Sequence, residues 1–282
     1  MDPADRELTI SCGAALGNLR VALRHLGHAG DVRTLPDPLQ PRLLTTVALG
    51  PVVVPTTTDH ELFAAITRRR TDRSPFEDRP VPDAVLHELR RAATQEGSVL
   101  HAVCGDTARR ALTELIAEGD RRQFADPRFR RELASWMRSN RGGSKDGMPG
   151  YTQGLGAMAS LVAPLVVRAS DVGKGQAAKD SVLAADHSPV LAVLSTVGDA
   201  PADWLAAGQA LARVLLSATA AGLSASFLNQ PAEVPELRGR LRALLDLGGE
   251  PQLVLRVGYG TGTQPTPPPR CGCRATPCVS RT

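Results

Sequence analysis

Aromatic side chains are scarce in this 282-residue chain: 5 Phe, 2 Trp and 2 Tyr make up 3% of it. A core must therefore be built from aliphatic residues, and the abundant alanines predict helices packed close together. Lysine is almost absent, with only Lys145, Lys174 and Lys179 among 33 basic residues. The net charge is just +4, and Asp and Glu run interleaved with the arginines. No arm of like charge stands alone, so the pattern reads as codon usage and argues against nucleic acid as a partner. No uncharged apolar stretch approaches the roughly 20 residues that a spanning helix needs, which argues against a membrane segment. The opening MDPADRELTI carries acids and no apolar core region, so it does not read as a secretory leader. The expected compartment is the cytoplasm. Five scattered cysteines form no disulfide framework.

Periodicity supplies the elements. Leu16, Leu19, Leu23 and Leu26 recur at helical spacing over Ser11–Gly30, with Gly27 and Gly30 as stop signals. Pro36, Pro38 and Pro41 precede a β-prone run over Leu43–Gly50. Thr58 with Glu61 reads as a capping box for a helix that runs into Arg68. Pro82 opens another helix, and Val99–Cys104 reads as a strand. Asp106 and Asp126 are expected N-caps of two helices, the first with a stripe of Leu112, Leu115 and Ile116, the second with Phe129, Leu133, Trp136 and Met137. From Ser139 to Gly156 six glycines in eighteen residues break the pattern, as in a lid or binding loop. A strand over Val190–Val197, helices over Pro201–Ala221 and Pro235–Leu245, and a strand over Gln252–Val257 follow. Gly13, Ala15, Leu16, Leu19 and Gly27 match Gly208, Ala210, Leu211, Val214 and Gly222 at one constant offset, a weak internal repeat.

The densest chemistry is Arg68–Phe76, RRRTDRSPF, followed by PVP at Pro80–Pro82. Arginines and a hydroxyl at alternate positions of an extended segment leaving a helix can converge on one phosphate. A solvated basic helix end, favoured by the macrodipole, accounts for the same residues.

The stretch ITRRRTDRSPFEDRPVPDAVLHELRRAA resembles the flavin-binding signature of the nitroreductase superfamily, in which an R-x-S/T-x-R/K segment grips the FMN phosphate ahead of a P-V-P helix start. RELTISCGAALGNLRVALRHLG and LARVLLSATAAGLSASFLNQPAEVPELRGRLRALL are similar to the Acg-type subgroup, whose chains hold two nitroreductase-like halves. The resemblance covers most of Arg6 to Tyr259. It implies an α+β nitroreductase-like fold, a mostly antiparallel mixed sheet flanked by helices, with two related halves forming an internal pseudo-dimer. Residues 1–57 would be the closing part of a first half, 58–264 a complete second half and 265–282 an irregular tail. Arg69, Thr71 and Arg73 would hold the FMN phosphate and ribityl chain. Leu228, Asn229, Gln230 and Pro231 would pass along the flavin ring, although an ordinary turn after a helix explains Asn229 and Gln230 equally well. Arg270 would be a further phosphate-binding arginine, and the glycine-rich stretch around Gly142–Gly156 a lid.

The implied activity is an FMN-dependent oxidoreductase moving reducing equivalents from NAD(P)H, a transient reductant, to a small nitroaromatic or quinone-type acceptor. The flavin would carry the chemistry, so no catalytic acid or base is named. The alternative is an FMN-sequestering stress protein with little turnover. The chain would act as a monomeric pseudo-dimer or a homodimer. Two departures stand against the pattern: the P-S-x-x-N-x-Q-P-W segment that closes the flavin site from the other half has no match, and the family places several dozen residues ahead of the equivalent of Arg6. On this reading half of the pocket is expected to be missing, through either a misplaced start or a real truncation. Gly258–Gly262 runs into prolines where a dinucleotide loop needs a helix. Cys271, Cys273 and Cys278 lack a fourth zinc ligand, and His25 and His28 lack partners, so no metal is expected. Asp186, His187 and Ser188 are consecutive and cannot converge as a triad.

Overall fold

The computed structural model describes residues 2–138, 148–149, 167 and 189–262. Along the chain these form α1 (Arg6–His25), β1 (His28–Thr34), β2 (Thr45–Val52), α2 (Thr57–Arg68), α3 (Asp83–Thr94), β3 (Val99–Ala102), α4 (Asp106–Ala125), α5 (Pro127–Trp136), β4 (Met137–Arg138) and β5 (Met148–Pro149). After residue 189 come β6 (Val190–Thr196), α6 (Pro201–Ala220), β7 (Ser224–Phe227), the single turn α7 (Gln230–Glu233), α8 (Pro235–Leu244) and β8 (Glu250–Gly258).

The main sheet has the order β3-β6-β8-β7 and is antiparallel throughout. A parallel bridge between Thr71 and Ala225 adds the segment after α2 to its β7 edge, which makes the sheet mixed. Because β-strand side chains alternate, β6 feeds two cores. Ala192 and Leu194 face α3 and α6, while Leu191 and Val193 join Leu112, Leu115 and Ile116 of α4 and Leu237 and Leu241 of α8. The sheet is therefore sandwiched between helices, in an α+β arrangement. Its central strands are mainly apolar because both faces are covered, with Arg256 the one charge inside the buried run of β8.

Helix α6 lies in the middle of the molecule, with Leu205, Ala207, Ala210, Val214 and Leu216 all buried. It crosses α1 at two glycines. A Cβ on Gly208 would stand 2.0 Å from the Ile10 carbonyl oxygen, and one on Gly13 would stand 2.4 Å from that of Leu205. Both helices end alike: Leu26 and Ala221 close the last turn, and Gly27 and Gly222 follow at φ +82° and +76°, left-handed values that favour glycine. Each helix leads into a strand that pairs antiparallel with a later one, β1 with β2 and β7 with β8.

Several boundaries differ from the periodicity. The capping box of α2 is Thr56 with Asp59, not Thr58 with Glu61: the Thr56 side chain accepts from Asp59 N, and the Asp59 carboxylate accepts from Thr56 N. Asp106 lies in the first turn of α4, and Gly105 occupies the N-cap. Asp126 does cap α5, ahead of Pro127. The stripe expected on α5 is not core: none of its residues is buried, and Trp136 is 51% exposed. Strands β1 and β7 escape the pattern because HAGDVRT and SASF lack a β-branched run; their partners β2 and β8 hold them extended. The glycine-rich stretch proposed as a lid falls, apart from Met148 and Pro149, outside the described residues.

Candidate functional site

Helix α2 delivers three arginines to one edge of the sheet, and they do different work. Arg68 turns its Nε back to the Ala64 carbonyl, and Arg70 donates to the carbonyls of Thr67 and Arg69. Those two satisfy the orphan carbonyls of a helix end, as the macrodipole favours. Arg69 differs. Its backbone turns extended at ψ 129°. Its side chain makes no hydrogen bond or ion pair among the described residues. Burial lowers its pKa, with the neighbouring Arg70 charge adding to the effect. A desolvated guanidinium beside another cation is costly unless an anion joins it.

The chain then runs along β7. Thr71 bridges Ala225, and Asp72 N donates to the Ala225 carbonyl at 3.0 Å. The Asp72 carboxylate accepts from Ser74 N at 2.9 Å, so the segment bends back on itself. Arg256, fully buried on β8, clamps this bend. Its Nη2 donates to the carbonyls of Asp72 at 3.0 Å and Ser74 at 2.7 Å, and its Nε donates to Ser226 Oγ at 2.7 Å. The same guanidinium stands 4.2 Å from the centre of the Phe76 ring, a favourable cation–π contact. Beyond it Phe76 bridges Gly260, and Glu77 N donates to the Tyr259 carbonyl. Arg69, Thr71 and Arg73 are thus brought together on a segment of fixed path, all partly buried.

The other expected residues lie farther along. Asn229 Oδ1 accepts from Val254 N at 3.0 Å and so extends the β7–β8 ladder by one more bond. Gln230 Nε2 donates to Asp120 at 3.0 Å, and its Cβ fits against Gly119, where an added methyl would come within 2.5 Å. Both side chains are engaged with protein partners beyond the end of β7, four and five residues past Ala225, which Thr71 bridges. The segment there is the helical turn α7, close to the ordinary turn that the sequence equally allowed. Arg270 lies outside the described residues. Among the described residues no three His, Cys, Asp or Glu side chains gather where they could hold a metal ion, and no helix is long and apolar enough to cross a membrane.

Sequence reasoning missed Arg256. Its signal was a single charge inside the apolar run QLVLRVG, which in a central strand demands a buried partner set. It missed Arg6 for a similar reason. Arg6 is 6% exposed and donates to the Gln252 side chain at 2.9 Å, the Gln252 carbonyl at 3.0 Å and the Ala232 carbonyl at 3.2 Å. Gln252 passes the network to Thr196 and Asp199. The start of α1 is in this way tied to β8 and α7.

The sequence pattern of the nitroreductase family matches residues 66–259, the stretch that contains the arginine segment, its β7 partner and the Arg256 clamp. The chain belongs to the nitroreductase family. A Mycobacterium tuberculosis protein provisionally named NAD(P)H nitroreductase Rv3131 is 35% identical over 269 residues, covering 95% of this chain and 75% of that one. The M. tuberculosis protein acg, provisionally named an NAD(P)H nitroreductase, is 30% identical over 273 residues, covering 95% and 78%. Among solved structures, the FMN-dependent nitroreductase NfnB from Mycobacterium smegmatis in complex with NADPH is 17% identical, covers 73% of this chain and 90% of that one, and has a TM-score of 0.46. At that distance no residue is carried across.

Proposed function

We propose that this nitroreductase-family chain is an FMN-dependent oxidoreductase that takes reducing equivalents from NAD(P)H and passes them to a small nitroaromatic or quinone-type acceptor. The observation that carries the reading is Arg69, a largely desolvated cation with no described counter-ion, on a segment that Arg256 holds rigid. The residues fit a phosphate monoester: a fork of N–H donors from Arg69, a hydroxyl from Thr71 and a second guanidinium from Arg73. Bound FMN would supply two-electron redox chemistry. The protein's part is to bind and orient it. Arg69 and Arg73 neutralise the phosphate, and Thr71 adds a donor. Asn229 and Gln230, roughly 13 Å along β7 from Thr71 at a strand's rise per residue, would border the rest of the bound group. Arg270 is proposed as a further phosphate ligand.

The matched units α1-β1-β2 and α6-β7-β8, crossing at Gly13 and Gly208, support reading residues 1–57 as the closing part of a first half and 58–264 as a second. On that reading one chain supplies both sides of a pseudo-dimer.

The purified protein is expected to be yellow, or to turn yellow on addition of FMN, and to bleach when NADH or NADPH is added without oxygen. A protein that neither carries nor takes up FMN sinks the flavin assignment. A yellow protein that neither nucleotide bleaches is instead a flavin-sequestering one.

A further inference from the structure

At the opposite end of α2 from Arg69 lies a cavity of about 460 Å³, within the size range of small-ligand pockets. Twelve residues of helix separate the two places, roughly 18 Å. Four arginines line it, Arg20 and Arg24 from α1, Arg91 from α3 and Arg213 from α6, against two carboxylates, Asp59 and Glu96. The lining therefore carries two positive charges in excess, and one of them, on Arg91, is met by Glu88 just outside it.

The carboxylates do not use up the donors. Glu96 is held by both Arg20 and Arg213, at 2.5 and 3.3 Å, and Asp59 lies 3.5 Å from Arg24. Burial opposes the charge on Asp59, but hydrogen bonds from Thr56 and Arg24 outweigh it and hold its pKa below the ordinary value, so it stays ionised. Arg20 and Arg213 also reach Gln209 and Gln95, and Arg91 pairs with Glu88. Each of the four guanidinium groups still has at least one nitrogen with no hydrogen bond among the described residues. A guanidinium offers five N–H donors in a fixed fork, so the spare ones match the oxygens of a tetrahedral anion.

The floor of the cavity includes Ala29 and Gly30 of β1. Gly30 stands at the repeat position of Ala225, the β7 residue that Thr71 bridges. Where β7 is covered by the arginine segment, β1 faces this cavity, and the positive charge around it comes from three helices instead.

We infer that this cavity is a second anion site, separate from the Arg69 segment, that takes a small phosphate-bearing ligand. A phosphate monoester carries about 1.5 to 2 negative charges at neutral pH, enough to meet the unmatched positive charge on the walls and to draw on the Arg91 that Glu88 shares. Pyrophosphate and AMP are the probes, titrated calorimetrically into the protein as purified, into R24Q/R91Q and into R69Q. Arg24 and Arg91 are chosen because 41% and 59% of their side-chain surfaces are exposed, so their loss leaves the core intact. Circular dichroism checks the fold of each variant. The expected result is binding to the starting protein that weakens at least tenfold in R24Q/R91Q and persists in R69Q. AMP binding more tightly than pyrophosphate would assign the site to nucleotides, and the reverse order to the phosphate group alone. The inference is overturned if neither probe binds, or if R24Q/R91Q leaves binding unchanged. Binding that persists in R69Q cannot come from the Arg69 segment, so this inference and the flavin assignment fail separately.

Discussion

Gly13 and Gly208 touch where α1 crosses α6, and each backbone occupies the space in which the other residue would need a Cβ. No rotamer change can relieve a methyl placed 2.0 Å from a carbonyl oxygen, because the atom it meets is backbone. Gly208→Ala is therefore expected to destabilise the protein by about 3 kcal/mol or more, at the upper end of overpacking costs. Gly239 is the control. It sits in the interior of α8 with nothing within 4 Å of its added Cβ, so Gly239→Ala should stabilise by about 0.5–1 kcal/mol through helix propensity alone. Urea unfolding of the two variants checks both signs; equal effects would mean that the crossing is not closely packed.

Arg69 supplies the second prediction. If its guanidinium meets a phosphate, removing it deletes a charge-assisted bond of about 1.5–3 kcal/mol. Arg69→Ala should then weaken FMN binding by roughly 10- to 100-fold. It should leave thermal stability without ligand unchanged or raised, since a desolvated charge has gone. Arg70→Ala, which removes only donors to the Thr67 and Arg69 carbonyls, should affect FMN little. Flavin fluorescence titration separates the two; equal losses would return all three arginines to a generic basic helix end.

Arg256 acts through other residues, as a positioning residue. Lys in its place keeps the charge but cannot reach Ser226, Asp72 and Ser74 together. Arg256→Lys is expected to fold with a loss of about 2–4 kcal/mol, the cost of breaking a buried charged network. FMN affinity should fall with it, because the carbonyls of Asp72 and Ser74 fix the path of Thr71 and Arg73. A variant of reduced stability and unchanged affinity would leave Arg256 a purely structural residue.

The fold was legible where amphipathic helices and unbroken apolar strands carried it. Leu112, Leu115 and Ile116 on α4, and Leu191–Leu194 on β6, announce their burial by spacing alone. The arginine segment was legible too, since its residue types declare their chemistry. What could not be read was tertiary. Nothing local in HAGDVRT says that it pairs with β2, and nothing local separates Arg69 from Arg68 and Arg70, which share its charge and its helix end. The stripe on α5 failed for the opposite reason: its spacing is helical, yet Trp136 stays half exposed. Arg256 and Arg6 were missed because a buried arginine is recognised by partners distant in sequence.

The last prediction concerns pH. Glu7, in the first turn of α1, has its pKa raised to about 7, first by burial and then by repulsion from Glu233 on α7, with Arg6 opposing and Asp2 adding. The folded protein therefore holds a proton on Glu7 that the unfolded chain releases near pH 4.5. The stabilisation from that proton is fully present below pH 4.5 and is lost as pH rises toward 7. A third of the Glu7 side chain still meets solvent, 34% by area. Screening there limits the loss to about 1 kcal/mol. Glu7→Gln mimics the protonated form and keeps the shape, so its stability between pH 5 and pH 8 should be flatter than that of the starting protein. Chemical unfolding at several pH values measures the difference. Parallel curves would show that Glu7 is already ionised at pH 5, with Arg6 rather than burial and Glu233 setting its charge.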